Sequence, residues 1–170
     1  MTALVFPTMG RYEEWADCVA EFLDEYPAGS GMDGPIDAGP EAYAASVDQA
    51  GLFRDETRQL PGTRIHGEYL WITDDDAIVG FLRFTYALND FLLEVGGHIG
   101  YSVRPSRRRQ GHASRALALA LDRARARGID RVLVTCDETN VASAKTIESQ
   151  GGVIEDVRDG KRRYWISTST

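Results

Sequence analysis

Val103-Arg104-Pro105-Ser106-Arg107-Arg108-Arg109-Gln110-Gly111-His112-Ala113-Ser114 is the stretch on which the reading of this chain turns. An apolar, strand-like pattern stops at Arg104-Pro105, and a helical pattern starts at Gly111. The first turn of a helix carries backbone N–H groups with no intrahelical acceptor, together with the positive end of the helix dipole. Such a turn suits an anion, phosphate above all. Gly111 lets a ligand come close to the backbone, Ala113 keeps the mouth of the helix open, and the arginines add diffuse positive charge. A solvated basic turn that merely caps a helix has the same bare pattern, so its neighbours must decide.

Downstream, Gly111–Arg127 reads as a helix with Ala113, Leu117, Ala120, Leu121 and Ala124 on its apolar stripe, and Gly128 ends it. Arg131–Cys136 is a continuous apolar run, as in a strand covered on both faces. Upstream, Leu92–Val103 reads as a third strand loosened by Gly96, Gly97 and Gly100. His66–Thr73 and Ala77–Tyr86 are β-rich and separated by aspartates, which predicts a hairpin. Leu4–Thr8 predicts an opening strand, and Glu13–Tyr26 and Glu41–Phe53 predict helices around a Gly/Pro-rich loop at 27–40. Asn140–Gln150 predicts a last helix. Val153–Val157 and Arg162–Ile166 flank the hairpin signal Asp159-Gly160. The sum is a mixed α/β (α+β) domain with a largely antiparallel sheet. One parallel pair is expected between the strands ending near Val103 and Cys136.

Composition bounds the function. The chain has 170 residues, read as one domain spanning 1–170, with 43% hydrophobic and 26% charged residues. The net charge of -7 argues against nucleic acid or an anionic membrane as partner. The charge is uneven: residues 1–60 hold 12 acids and 3 bases, and the rest 14 acids and 16 bases. Two distant cysteines, Cys18 and Cys136, make neither a disulfide framework nor a zinc cluster, so no metal is expected. With no signal-peptide pattern at the start and no long apolar run, they point to a reducing, cytoplasmic compartment.

Position adds to the motif. Arg108-x-x-Gly111-x-Ala113 opens the crossover helix, Asn140-x-x-Ser143 and Glu148-x-x-Gly151 follow, and His98-Ile99-Gly100-Tyr101-Ser102-Val103-Arg104-Pro105 leads in. This combination resembles the GNAT superfamily, the acyl-CoA-dependent N-acetyltransferases. The resemblance implies acetyl-CoA as cosubstrate, in a cleft between splayed strands ending near Val103 and Cys136. It implies pyrophosphate binding by Arg108, Arg109, Gln110, Gly111, His112, Ala113 and Ser114. It also implies pantetheine pairing by Tyr101, Ser102 and Val103, with Asn140 and Ser143 nearby. The acetyl group would pass to a primary amine of a small molecule or peptide by direct attack, and a homodimer is allowed.

The acceptor amine must lose a proton, and Glu94 and His98 are the candidate bases on the glycine-loosened strand. His98 has the better ordinary pKa, and Glu94 needs burial or a water relay. Each has a purely structural reading as well. Many members of that family place a tyrosine seven residues after the asparagine to protonate the departing thiolate. Here the position is Ile147. Water, Ser143 or Tyr164 are the substitutes, and a non-catalytic acyl-CoA-binding sensor is the alternative function. The acidic first third is expected to face a cationic amine while the arginines face CoA phosphates.

Overall fold

A computed structural model describes residues 1–169. The elements run β1 (Thr2–Val5), α1 (Tyr12–Ala20), α2 (Pro40–Arg54), β2 (Gly67–Asp74), β3 (Ala77–Thr85), β4 (Ile99–Val103), α3 (His112–Ala126), β5 (Arg131–Asp137), α4 (Val141–Ser149), β6 (Val153–Arg158) and β7 (Lys161–Ser167). One seven-stranded sheet has the order β1-β2-β3-β4-β5-β7-β6. Every neighbouring pair is antiparallel except β4–β5.

Both faces of the sheet are covered, and strand alternation divides the core in two. Leu70, Ile72, Leu82, Ile99, Val132 and Val134 pack toward Ala116, Leu117 and Ala120 of α3. Trp71, Ile78 and Phe81 pack on the other face against Trp15, Val19 and Phe22 of the first helical segment and Tyr43 of α2. The two tight hairpins use residues with positive φ at both central positions: Asp75 and Asp76 between β2 and β3, Asp159 and Gly160 between β6 and β7. That is the turn geometry matched to strand twist.

Three expected elements differ. Leu92–Val103 is not one strand. Leu92–Gly96 forms a π-helical turn, and β4 starts only at Ile99. Asn89 Oδ1 accepts the Leu92 N–H, and the Gly97 N–H reaches back to the Leu92 carbonyl. Gly97, at φ +61°, then reverses the chain into β4. The apolar run Phe91–Val95 hides this, because a capped turn and a strand can share it. The first helix stops at Ala20 rather than Tyr26, since Leu23 turns to φ +53° and the chain closes in successive turns. The opening strand occupies Thr2–Val5 rather than Leu4–Thr8.

The loop between α1 and α2 lies on the sheet. Ser102 Oγ donates to the Ala28 carbonyl at 2.8 Å. Gly29 sits at φ +86°, where an added Cβ would lie 2.6 Å from the Gly100 carbonyl and 2.8 Å from Leu82 Cα. Both neighbours are backbone, so neither can yield cheaply. Gly29→Ala is therefore expected to lift this loop and cost about 2 kcal/mol or more of stability. Urea unfolding measures it; an unchanged midpoint would show that the loop is not seated there.

Candidate active site

β4 and β5 meet at one parallel pair, Ile99 with Val134, and are not paired beyond it. The junction is tied by the His98 N–H to the Leu133 carbonyl (2.7 Å) and the Leu133 N–H to His98 Nδ1 (2.9 Å). On the other side β4 keeps a five-residue antiparallel register with β3. The Arg104 N–H bonds the Val79 carbonyl, so Ser102 and Gly100 alternate with it in turning their backbone groups to β3. Tyr101 and Val103 then turn theirs into the gap. Of the three residues expected to pair with pantetheine, Ser102 is a correction: its backbone belongs to β3 and its hydroxyl to Ala28.

At the far end of the gap stands the helix mouth. Arg109 and Gly111 adopt positive φ, +59° and +81°. The N–H groups of Arg109 through Ser114 have no protein acceptor among the described residues, and the first helical bond is from the Arg115 N–H to the Gly111 carbonyl. Six unpaired N–H groups in one turn at a helix N-terminus are an arrangement that suits an anion. Arg108 is not part of it. Its N–H bonds the Pro105 carbonyl, and its side chain binds the Val103 carbonyl and Glu25. Gln110 Nε2 turns back to the Ser106 carbonyl. His112 contributes only backbone, its buried imidazole meeting Thr2 Oγ1 at 3.0 Å.

The charge split takes a different form from the one expected. The acids at the end of the first helical segment bind the arginine loop itself. Arg104 reaches Asp17 and Glu21, the Ser106 N–H and hydroxyl both donate to Glu21, and Arg108 pairs with Glu25. Arg107 binds Asp74. The Arg104 guanidinium holds Glu21 well below the usual carboxylate range, at about 2. These acids clamp the loop and are not offered to an amine.

Glu94 is a correction as well. It lies in the π-helical turn, half exposed, with both carboxylate oxygens 2.9 Å from Arg158 Nη1. His98 and Glu94 therefore do not share a strand face. Burial, with Arg83 nearby, lowers the His98 pKa to about 4. Accepting at Nδ1 leaves its proton on Nε2, so at neutral pH it is a neutral strut between β4 and β5. Asn140 caps α4, its Oδ1 taking the Ser143 N–H at 3.1 Å. Tyr164 is unavailable as a proton donor to the gap, being buried and bonded to Glu148. Ile147 is fully buried in the core.

Sequence reasoning assigned only the backbone of Tyr101. Its side chain leaves β4 on the α3–α4 face, and its hydroxyl lies 2.9 Å from Ser143 Oγ, bridging strand and helix. Burial raises its pKa to about 12, and Cys136 lies beside the same pair. The other omission is Arg83, on the opposite face of β3 beside Gly100. A single arginine inside the apolar run Ala77–Tyr86 was the signal for it. Among the described residues no group of three or more His, Cys, Asp or Glu could hold a metal ion.

A family model described as the acetyltransferase (GNAT) family matches residues 15–151. Solved structures of the same fold include ribosomal L7/L12 alpha-N-protein acetyltransferase RimL in complex with coenzyme A. It is 18% identical with a TM-score of 0.72, and the match covers 98% of this chain and 93% of that one. Mycobacterium smegmatis RimJ in complex with CoA-disulfide is 20% identical at a TM-score of 0.72, covering 98% and 87%. Salmonella typhimurium yncA with its cofactor acetyl-CoA is 15% identical at 0.62, covering 99% and 94%. No curated protein matches the sequence.

The tuned groups predict an acid limit to stability. His98 has an ordinary pKa of 6.5 and a folded value of about 4, so between these the unfolded chain binds a proton that the folded chain refuses. Stability should be full above about pH 6.5 and decline as pH falls toward 4. Glu21, depressed from 4.5 to about 2, adds a loss only below about pH 4.5. Urea midpoints at stepped pH should show the two limbs. His98→Gln should make the first shallower, the remainder coming from the buried His112, whose pKa is also lowered by burial, and leave the second; a wild-type midpoint flat from pH 7 to 4.5 would contradict the buried strut.

Proposed function

Since the chain belongs to the acetyltransferase (GNAT) family and so moves an acetyl group from acetyl-CoA, we propose that the acceptor is a primary amine held on the α1–α2 face of the sheet and attacking directly in a ternary complex. The observation that carries this reading is the gap between β4 and β5, faced by the backbone of Tyr101 and Val103 and ended by the amide cradle. Residues and cosubstrate fit chemically. The N–H groups of Arg109, Gln110, Gly111, His112, Ala113 and Ser114 suit a pyrophosphate, with the exposed Arg109 guanidinium beside them. Val103 offers its N–H to an amide-bearing chain, its carbonyl being held by Arg108. The Tyr101 N–H, the first past the junction to face the gap, polarises the acyl carbonyl.

Bound acetyl-CoA supplies a thioester whose carbonyl carbon is already electrophilic. The protein need only orient the amine, hold the carbonyl and manage two protons. Glu94 is committed to Arg158 and His98 to Leu133, so we assign the amine's proton to water on the α1–α2 face. The Tyr101 hydroxyl, bonded to Ser143, takes over the protonation of the departing thiolate that Ile147 cannot perform. Asn140 acts by capping α4 and so fixing Ser143. An acyl-CoA sensor without turnover gains no support from the family match or the structural neighbours. We place the protein in the cytoplasm on the strength of its two free, buried thiols. Exposed Val153, Ile154 and Val157 on edge strand β6 are where a homodimer would close.

Thiol release from acetyl-CoA in the presence of a panel of amines tests the reading. Gly111→Asp puts a carboxylate in the cradle and should weaken acetyl-CoA binding by about tenfold or more. Unchanged affinity would remove the cradle from the site. Tyr101→Phe should lower kcat while leaving acetyl-CoA affinity nearly unchanged; an unaltered kcat would return thiolate protonation to water.

A further inference from the structure

The side chain of Arg83 leaves β3 on the same face as Phe81, the face covered by the first helical segment and the loop that follows it. Its register partners are Tyr69 on β2 and Gly100 on β4. Nη2 donates to the Gly96 and Gly97 carbonyls at 2.8 and 3.2 Å, and these are its only hydrogen bonds among the described residues. Nε is fully buried and has no partner among the described residues. No carboxylate lies within ion-pairing distance of it among the described residues. The other arginines drawn into the protein are treated differently: Arg163 is 2% exposed and paired with Asp156 and Glu155, and Arg104 with Asp17 and Glu21. Arg83 is half-buried, and drawing a cation even partly out of water without an anion is costly.

The place matters as much as the missing partner. Gly100 separates Ile99, where β4 and β5 join, from Tyr101, whose N–H faces the gap. The guanidinium stands over the backbone that leads into β4, at Gly96, Gly97 and Gly100, on the side from which the amine arrives. Gly100 has no side chain to intervene; a Cβ there would approach Arg83 Nη2 at 3.6 Å. Phe91, 64% exposed, stands beside Gly96 with apolar surface, and the exposed Tyr26 lies near Arg83.

We propose that the acceptor is an amino acid or a close analogue, its carboxylate received by Arg83 and its α-amine thereby presented to the acyl carbon beside Gly100. This rests on the acetyl-transfer reading above and names the acceptor class for it. With Nη2 held by two carbonyls and Nε buried, Nη1 is left to donate to a carboxylate, whose single charge matches a single arginine. A phosphate would call for further cations, and no lysine or second arginine is paired in register with Arg83. The reaction balances simply. The amine nitrogen bonds the acyl carbon, the C–S bond breaks, the amine's proton leaves to water, and the thiolate gains one.

The experiment compares L-amino acids with their carboxamides, their decarboxylated amines and the matching aminoalkylphosphonates as acceptors at saturating acetyl-CoA. The free acids should exceed the amides and decarboxylated amines by about tenfold or more in kcat/KM. Arg83→Gln should raise KM for the acids and erase the preference, with acetyl-CoA affinity unchanged, and Arg83→Lys should restore part of it. Amides or bare amines accepted as well as acids by the wild type would overturn the proposal, whatever the variants do. A preference for phosphonates would overturn the carboxylate. If no acceptor is turned over, calorimetric binding of L-amino acids against their amides to the CoA-bound protein decides, and equal or absent binding overturns it. Absence of acetyl-CoA binding would instead defeat the functional reading, and amino-acid binding to the unliganded chain would still decide on Arg83.

Discussion

One contact between β4 and β5, Ile99 against Val134, is the constraint on which the rest of the site depends. A continuous parallel ladder would satisfy every facing N–H and C=O of β4 and leave nothing to bind. A complete separation would break the sheet in two and expose both cores. The single pair, reinforced by His98 and Leu133, holds the halves together and frees the Tyr101 backbone and the Val103 N–H, the Val103 carbonyl being held by Arg108. The two helices on the α3–α4 face then close the back of the gap. α3 packs its small residues Ala116 and Ala120 against the sheet, and α4 meets Tyr101 through Ser143.

The gap must also be kept in shape without filling it, and charge does part of this. Arg104, Ser106 and Arg108 follow the end of β4 and are gripped by Asp17, Glu21 and Glu25. The α1 segment is thereby fastened to the loop that leads into the cradle. Exposed ion pairs contribute little each, but Glu21 accepts from three donor groups on one short loop, and its strongly depressed pKa reflects that. The consequence is electrostatic as well as mechanical. The charges of Arg104, Arg107 and Arg108 are answered by protein carboxylates, which leaves the backbone N–H groups, Arg109 and Arg115 at the proposed cradle without a carboxylate partner among the described residues.

Much of this was legible in the sequence because local rules and the global fold agreed. The Arg-rich turn followed by Gly111 marked the start of α3 with its unpaired N–H groups, and Arg131–Cys136 marked the strand across the gap. What stayed hidden has specific causes. Phe91–Val95 satisfies a strand pattern while Asn89 and Gly97 bend it into a π-helical turn, and this removed Glu94 from the gap. His98 carries an ordinary catalytic side chain, yet only the three-dimensional register shows Leu133 occupying its acceptor nitrogen. The acids of the first helix looked free because their arginines lie more than eighty residues away. Tyr101 was read for its backbone alone, since no spacing rule links it to Ser143.

Arg83 shows where such rules fail for a reason that bears on function. An arginine in the middle of an apolar strand, opposite Tyr69 and Gly100, contradicts every local preference of β3. Elsewhere the chain resolves the same problem with a carboxylate, as at Arg163, where the buried cation is answered by Asp156 and Glu155. At Arg83 it supplies only two carbonyls, enough to orient the guanidinium and too little to neutralise it. Those carbonyls belong to Gly96 and Gly97, the residues that turn the chain into β4. The same contacts that aim the guanidinium therefore also set the start of the strand that opens the gap. A purely structural brace could be built from a neutral donor without the desolvation cost of a charge. The charge is accounted for when its partner arrives with the acceptor, beside the one strand junction the protein keeps closed.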